Sequence, residues 1–423
     1  MRASGVLAAV LNRRQGVMLF LGFSSGLPLL LSSGTLQAWL TVEGVDITTI
    51  GLFALAGLPY TLKFLWAPVL DRFVPPLLGR RRGWMLITQL LLMLAIALMA
   101  MTDPVGESWR MATLALMVAF LSASQDIAFD AWRTDALKPA ERGLGAALSV
   151  GGYRLAMLVS GALALILGDH IGWANTYFLM AGLMAVGLLA TLFAPNPEAP
   201  PAPPRTLSEA VVGPLGEFFS RPEAWALLLL IVLYKFGDAF AGTLTTAFLI
   251  RGAGFSPTEV GVINKGFGLA ATLLGALVGG LWLARLGLYR GLLLFGVLQA
   301  ITNLGYMFLA LAPGYALMVV TIALENLAGG MGTAAFVALV MGLCNARYSA
   351  TQFALLSALA SLGRVYLGPL AGITVEALDW PVFFFLTFIA ALPGLWLLLR
   401  LKPAVEYADR ERDEASAAPA TRE

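Results

Sequence analysis

Nine charged side chains lie inside long apolar stretches of this 423-residue chain, and they are the residues best placed to do chemistry. A charge at the centre of a bilayer is costly, so such a residue pairs with another charge, faces water or binds a ligand. The acids and bases concerned are Asp126, Asp130, Asp238, Glu325, Lys63, Arg154, Lys235, Lys265 and Arg364. Structural ion pairs explain some of them. Their spread over many helices around one expected cavity favours a function for the set.

The two arginines are the first candidates for binding an anion. Arg154 and Arg364 lie about eleven and twelve residues into their predicted helices, the fifth and the eleventh. A guanidinium group is planar and donates two parallel hydrogen bonds to a carboxylate. Lys235 and Lys265 are the other cations expected to contact a bound anion.

Four acids are candidates for carrying a proton, because the pKa of a carboxyl group next to a cation changes when the surrounding cavity is wetted or dried. Asp126 and Asp238 rank first, followed by Glu325 and then Asp130. Asp130 is four residues after Asp126 and three before Arg133. An anchoring or gating ion pair with Arg133 therefore explains Asp130 at least as well as a proton-carrying role. Lys235 and Asp238 are three residues apart on one helix, close enough to pair directly.

The composition predicts a polytopic membrane protein made only of helices. Hydrophobic residues make up 59% of the chain, against 27 basic and 25 acidic residues, and twelve membrane-spanning helices need about 240 residues. This excludes a soluble enzyme, and Cys344 and His170, each alone of its kind, exclude an internal disulfide and a histidine metal site. No cofactor, metal or nucleic acid is expected. The predicted spans are 16–40, 49–70, 84–101, 110–132, 143–167, 174–194, 225–250, 259–284, 290–311, 315–343, 352–376 and 381–400.

A proline-rich segment divides the chain into two halves that repeat each other. We predict a first half at 1–194, a cytoplasmic linker at 195–222, a second half at 223–402 and a disordered tail at 403–423. The stretch 34–40 (GTLQAWL) recurs as 242–249 (GTLTTAFL), and each copy precedes a short loop and a helix start. Ser256–Glu259 has the form of a capping box, and Asp46–Thr49 is its looser counterpart. Two such repeats, with the substrate path between them, are the plan of a secondary transporter.

The positions of lysine and arginine predict the orientation. All but seven of the 27 basic residues fall in the termini and in the loops on one side; five of the seven lie within helices, and Arg110 and Arg251 lie in loops on the other side. Because basic residues favour the cytoplasmic side, both termini are predicted to be cytoplasmic. The glycines at 275, 279, 329, 330 and 332 are predicted to be helix-packing contacts.

The loop after the second span resembles the conserved loop of the major facilitator superfamily. It contains Asp71, Arg72 and, after Gly79, Arg80, Arg81 and Arg82, which this resemblance marks as a gating loop. It departs from the pattern by an insertion at 73–78 and by lacking the leading glycine.

Longer stretches along nearly the whole chain resemble the AmpG muropeptide permeases of Gram-negative bacteria. They are 22–28 (GFSSGLP), 34–39, 63–66 (KFLW), 122–130 (SASQDIAFD), 152–154 (GYR), 234–240 (YKFGDAF) and 350–358 (ATQFALLSA).

The resemblance implies import of 1,6-anhydro-muropeptides, which are GlcNAc-anhydroMurNAc disaccharides bearing short peptides, across the inner membrane. It further implies proton symport, peptidoglycan recycling and a supply of inducer for β-lactamase, and so a part in antibiotic resistance. For such a cargo, Gln37, Gln125, Asn264 and Asn326 either bind sugar hydroxyls or cap helices, and Trp39 and Tyr153 are candidates for stacking on sugar rings.

We expect a monomer. A carrier of another anionic amphiphile, such as acetyl-coenzyme A, is the alternative. An intramembrane aspartyl protease is excluded because its motifs are absent.

Overall fold

In the computed structural model, the described residues are 13–136, 142–195, 219–220, 223–343 and 349–406. Within these ranges the side chains of Asp71, Arg72 and most residues of 349–364 are not described. All regular structure in the described part is helical. Ten of its helices are long and apolar enough to cross a membrane, so the predicted class of polytopic all-α membrane protein is confirmed.

Twelve helical segments, several of them interrupted, follow one another along the chain. They are α1 (Arg13–Leu31 and Gly34–Val42), α2 (Ile47–Leu52, Phe53–Gly57, Leu58–Leu62, Lys63–Leu65 and Ala67–Arg72), α3 (Arg80–Ala100), α4 (Ser108–Ala136), α5 (Arg142–Met157, Leu158–Leu163 and Ala164–Ile171), α6 (Trp173–Leu183 and Ala185–Phe193), α7 (Ala224–Tyr234, Phe236–Ala247 and Phe248–Gly252), α8 (Pro257–Val260, Gly261–Phe267 and Gly268–Leu286), α9 (Leu288–Leu311), α10 (Tyr315–Gly342), α11 (349–378) and α12 (380–400).

Two regions differ from the simple pattern of spans. The second span is a series of short α and 3-10 segments, one of which has Pro59 in its first turn. Proline lacks the N–H that a continuous helix needs. The loop expected near 377–380 is instead a single backbone break, because helix continues over Ser349–Arg400 except at Asp379 (φ 64°, ψ 168°). Each of the twelve predicted spans corresponds to helix.

The described residues group into two compact units. One contains residues up to 195 together with Leu249–Arg251 and Phe255–Gly266. In it α1 packs tightly on α5: a methyl group on Gly152 would lie 2.0 Å from the carbonyl oxygen of Leu19, and one on Gly22 would lie 2.2 Å from that of Ser149. Only glycine permits two helix backbones to approach so closely.

The other unit contains the remaining described residues from 219 onward. Here α8 and α10 make the close approach, since a methyl group on Gly275 would lie 2.2 Å from the Leu327 carbonyl oxygen and one on Gly330 would lie 2.2 Å from that of Thr272. The predicted role in helix packing is confirmed for Gly275 and Gly330, whereas a methyl group on Gly329 would meet only Gln299 Nε2 at 4.0 Å. The predicted linker, 195–222, and tail, 403–423, lie largely outside the described residues.

Candidate functional site

Asp126 is the deepest acid of the first unit. It lies on α4, and its Oδ1 accepts a hydrogen bond from Ser25 Oγ of α1 at 2.5 Å. The ammonium group of Lys63, from the broken helix α2, interacts with the same carboxylate electrostatically. Asp126 on α4 therefore interacts with both α1 and α2. A change in its charge would alter the contacts among these three helices. The neighbouring Gln125 is buried and donates from Nε2 to Ser24 Oγ at 3.1 Å, so that amide is engaged in packing α4 against α1.

Asp130 lies one turn further along α4 in a different environment. Its Oδ1 is 3.0 Å from Arg133 Nη2, and the two side chains are 52% and 31% exposed. Arg133 also donates to Ser149 Oγ of α5 at 3.2 Å. This geometry favours the anchoring ion pair over a proton carrier, because Asp130 is paired with a cation on its own helix that also holds α5.

Lys235 and Asp238 form the central ion pair of the second unit. Lys235 lies at the break in α7, with φ −100° and ψ 3°, and Asp238 is in the first turn of the segment that follows. Lys235 Nζ is 3.2 Å from Asp238 Oδ2, as predicted from their spacing, and also 3.2 Å from Thr333 Oγ1 of α10. Gln299 Nε2 of α9 donates to the same Asp238 oxygen at 3.2 Å. The carboxylate is therefore held by one charged and one neutral donor, and the helix start favours its negative charge.

Glu325 forms a second cluster in this unit. Its Oε2 accepts hydrogen bonds from Asn326 Nδ2 at 2.9 Å and from the Tyr306 hydroxyl at 3.3 Å. Asn326 Oδ1 in turn accepts from Thr272 Oγ1 of α8 at 2.9 Å. Asn326 thus positions Glu325. The sequence alone had indicated either sugar binding or helix capping for Asn326.

The guanidinium group of Arg154 is exposed on α5. It lies 3.7 Å from Met157 Sδ, and within the described part of the chain it forms no ion pair with a carboxylate. The adjacent Tyr153 is half-buried. Arg364 was predicted as the counterpart of Arg154, and its side chain lies outside the described residues.

The remaining candidates are divided between packing and accessible positions. Trp39 is 3% exposed, with its ring 6.3 Å from Trp173 and 4.9 Å from Tyr177, so its faces are covered by protein. Gln37 is half-buried on α1. Asn264 and Lys265 lie in the π-helical segment Gly261–Phe267. Glycines make room for Lys265, since methyl groups on Gly34 and Gly161 would lie 3.1 and 3.6 Å from it.

In the predicted gating loop, Arg82 binds the end of α6. Its Nε donates to the Thr191 carbonyl oxygen at 3.1 Å and its Nη2 to that of Leu192 at 2.8 Å. These are carbonyl groups at a helix C-terminus, which favours a cation. Arg80 and Arg81 precede Arg82 in the first turn of α3. The side chains of Asp71 and Arg72 are outside the described set.

Sequence reasoning missed Ser25, Gln299 and Tyr306, which donate to the acids from neighbouring helices, and Thr333, which accepts from Lys235. A signal was available for two of them. Gln299 and Tyr306 are seven residues apart in an otherwise apolar helix, with Asn303 between them, so all three lie on one face. Within the described residues, no group of three or more His, Cys, Asp or Glu side chains could hold a metal ion.

The family model of the Major Facilitator Superfamily matches residues 17–255 and 227–422, and so nearly the whole chain. A relative from Escherichia coli strain K12, an anhydromuropeptide permease, is 57% identical over 396 residues, covering 93% of this chain and 81% of the relative. The chain belongs to the Major Facilitator Superfamily and, within it, to the anhydromuropeptide permease family. A putative AmpG transporter from Rickettsia conorii is 35% identical over 91% of this chain and 95% of its own.

Solved structures of other superfamily members share the fold. A POT family transporter in complex with 5-aminolevulinic acid matches with a TM-score of 0.72 and 14% identity, over 92% of this chain and 96% of that one. A nucleoside transporter matches with a TM-score of 0.70 and 13% identity, over 92% and 99%. At such low identity these matches establish the fold alone. Membership of the superfamily and of the permease family makes the chain a transporter and not an enzyme.

Proposed function

We propose that this protein carries anhydro-muropeptides, GlcNAc-1,6-anhydroMurNAc disaccharides with short peptides, from periplasm to cytoplasm for recycling of the cell wall. The observation that carries the proposal is the 57% identity to the Escherichia coli anhydromuropeptide permease over 93% of the chain. The charged residues within the spans give this cargo a physical basis.

Arg154 supplies the main argument for an anionic cargo. Its guanidinium group is exposed in a membrane-spanning helix and has no carboxylate partner within the described part of the chain. Because a charge facing lipid is costly, this group faces water in a cavity. A muropeptide carries several carboxylates on its peptide stem, and one of them completes the pairing of Arg154. Arg364 is assigned the equivalent role in the second repeat.

Proton symport by alternating access is part of the proposal. Asp126 and Asp238 each touch a donor from another helix, Ser25 and Gln299 respectively, so a change in the charge of either acid alters contacts between helices. Protonation of Asp238 releases Lys235 from its ion pair, and a free ammonium group can then bind a cargo carboxylate. Transport and protonation are linked through that exchange of partners.

The cellular setting follows from the same reasoning. We assign the protein to the inner membrane, with both termini and the 195–222 segment in the cytoplasm because basic residues concentrate there. We assign it as a monomer, since each chain supplies both repeats. Supply of muropeptide to the cytoplasm connects it to β-lactamase induction in bacteria that use this inducer.

The test is uptake into proteoliposomes containing the purified protein. Labelled anhydro-muropeptide should accumulate when the interior is made alkaline, and unlabelled muropeptide should compete with it while acetyl-coenzyme A does not. Uptake of acetyl-coenzyme A with no uptake of muropeptide would establish the alternative cargo.

The coupling is tested with Asp126→Asn and Asp238→Asn. Each should lose accumulation driven by the pH gradient and retain exchange of labelled for unlabelled cargo at equal pH. Glu107→Gln is the matched control, because Glu107 is an exposed acid paired with Arg110. Normal driven uptake by both aspartate variants would remove these residues from the proton path.

A further inference from the structure

Three polar side chains form a stripe on one face of α9. Gln299, Asn303 and Tyr306 are separated by four and three residues, which is the spacing of one helix face. All three are nearly fully buried, with 4%, 1% and 1% of their surfaces exposed. At about 1.5 Å of rise per residue, the stripe spans about 10 Å along the helix axis, about a third of the apolar thickness of a bilayer.

The two ends of this stripe hold the two candidate proton carriers of the second unit. Gln299 Nε2 donates to Asp238 Oδ2 at 3.2 Å, and the Tyr306 hydroxyl donates to Glu325 Oε2 at 3.3 Å. Tyr306 also interacts electrostatically with both Glu325 and Asp238. One helix face therefore connects two carboxylates that belong to different helices, α7 and α10.

Asn303 lies at the middle of the stripe and is the unusual residue. Neither its amide nitrogen nor its amide oxygen has a hydrogen-bond partner among the described residues. Gln299 is in a similar position, since its Oε1 is also without a partner there. An unsatisfied buried amide lowers stability by about 1–3 kcal/mol, so a leucine, which has nearly the same size, would serve a purely structural role better.

We propose that the α9 stripe, consisting of Gln299, Asn303 and Tyr306, is the route by which a proton passes between Glu325 and Asp238. This inference rests on the proposed proton coupling and adds the residues that transmit the proton. The carrier across the middle is water bound by the Asn303 amide, which can both donate and accept hydrogen bonds.

The transfer conserves protons at each step. Protonated Glu325 gives its proton to the Tyr306 oxygen as the Tyr306 hydroxyl passes its own proton to the bound water. The water passes a proton to Asp238, leaving Glu325 charged and Asp238 neutral, with Tyr306 and the water restored. Lys235 then loses its anionic partner and keeps the hydrogen bond to Thr333 Oγ1. In the predicted orientation Glu325 lies in the outer half of α10 and Asp238 near the middle of α7, so the proton moves inward.

The test compares Asn303→Leu and Tyr306→Phe with the wild type and with a control, Thr302→Val. Thr302 is adjacent to Asn303, and its hydroxyl donates to the carbonyl oxygen of Gln299 on its own helix. Proteoliposomes with a pH-sensitive dye inside report the proton influx that follows addition of muropeptide. The same liposomes report muropeptide exchange at equal pH, and melting in detergent reports stability.

Both stripe variants should keep muropeptide exchange near the wild-type rate. Their cargo-dependent proton influx should be at least roughly ten-fold lower than that of the wild type. Asn303→Leu should melt near the wild type, because leucine and asparagine have nearly the same size. The control should match the wild type in every measurement. Unchanged proton influx in both stripe variants would overturn the inference, and so would an equal loss of exchange and influx, which marks a structural role. Absence of cargo-linked influx in the wild type would instead contradict the proposed function.

Discussion

In the proposed function, the exposed guanidinium group of Arg154 is expected to set how tightly an anionic cargo is held. Arg154→Lys keeps the charge and loses the planar fork, so bidentate binding of a carboxylate should suffer. We expect muropeptide to bind about ten- to a hundred-fold more weakly, the effect of losing one hydrogen bond to a charged group. Isothermal titration calorimetry of the purified protein measures the change.

The control for this prediction is Arg110→Lys, because Arg110 is a surface arginine paired with Glu107; it should bind normally. The disaccharide lacking its peptide has fewer carboxylates, so its affinity should fall less in Arg154→Lys. An equal loss for both cargoes would point away from the peptide carboxylates. Unchanged affinity for both would leave Arg154 without a binding role.

Two adjacent glycines on α5 make a matched pair for testing close helix packing. A methyl group on Gly152 would lie 2.0 Å from the Leu19 carbonyl oxygen, whereas one on Gly151 would meet nothing within 4 Å. Gly152→Ala should therefore destabilise the protein by about 1–3 kcal/mol through overpacking. Gly151→Ala should be neutral or stabilising, because alanine favours helix by about 1 kcal/mol over glycine. Equal melting temperatures of the two variants would contradict this account of the α1–α5 contact.

Among the helices, α2 depends on a cap at its first turn. Asp46 accepts a hydrogen bond from the Thr49 backbone N–H at 2.7 Å. Partial burial raises the pKa of Asp46, but the hydrogen bonds from Thr49 and the charge of Arg251 outweigh it and hold the pKa below its usual value of 3.8. A lowered pKa means that this stabilisation is fully present above pH 3.8 and is lost as the pH falls through the lower, folded-state value.

Asp46→Ala should consequently lower the melting temperature at pH 6, through loss of about 1 kcal/mol of capping energy. The difference from wild type should shrink below pH 3.8. Asp46→Asn keeps a capping oxygen without a titrating group, so it should show no such pH dependence. A deficit in Asp46→Ala that persists unchanged at pH 3 would mean that the charge of Asp46 contributes nothing.

At the same scale, hydropathy predicts where helices lie but not how they are interrupted. Apolar length locates every span, because a bilayer requires it, and the caps at Asp46 and Ser256 are local motifs that the structure reproduces. The division of α2 into short segments and the single-residue break at Asp379 depend on packing against other helices. Hydropathy averaged over a window contains no information of that kind.

In the candidate site, contacts within one helix were predictable from the sequence and contacts between helices were not. Pairs within one helix, Lys235 with Asp238 and Asp130 with Arg133, follow from spacing and are present. Contacts between helices, such as Ser25 with Asp126, depend on the rotation of each helix about its axis and on its neighbour, which one helix's sequence does not specify. The burial of Trp39 against Trp173 is of this second kind.

Over the whole molecule, orientation determines the direction of every proposed step. The positions of the basic residues predict that the loops before α4 and α10 are periplasmic and that the loops before α3 and α9 are cytoplasmic. Glu107, Pro313 and Val74 are exposed residues of three of these loops, and Arg290 is exposed in the first turn of α9. Single cysteines there, in a Cys344→Ala background, report the side on which each loop lies.

Glu107→Cys and Pro313→Cys should react with a membrane-impermeant maleimide in intact spheroplasts. Val74→Cys and Arg290→Cys should react only after the membrane is permeabilised, and that later reaction serves as the control for their accessibility. The reversed labelling pattern would show that the protein has the opposite orientation in the membrane. Glu325 would then lie in the cytoplasmic half, and a proton moving along α9 toward Asp238 would travel outward, against the direction that import driven by the proton gradient requires.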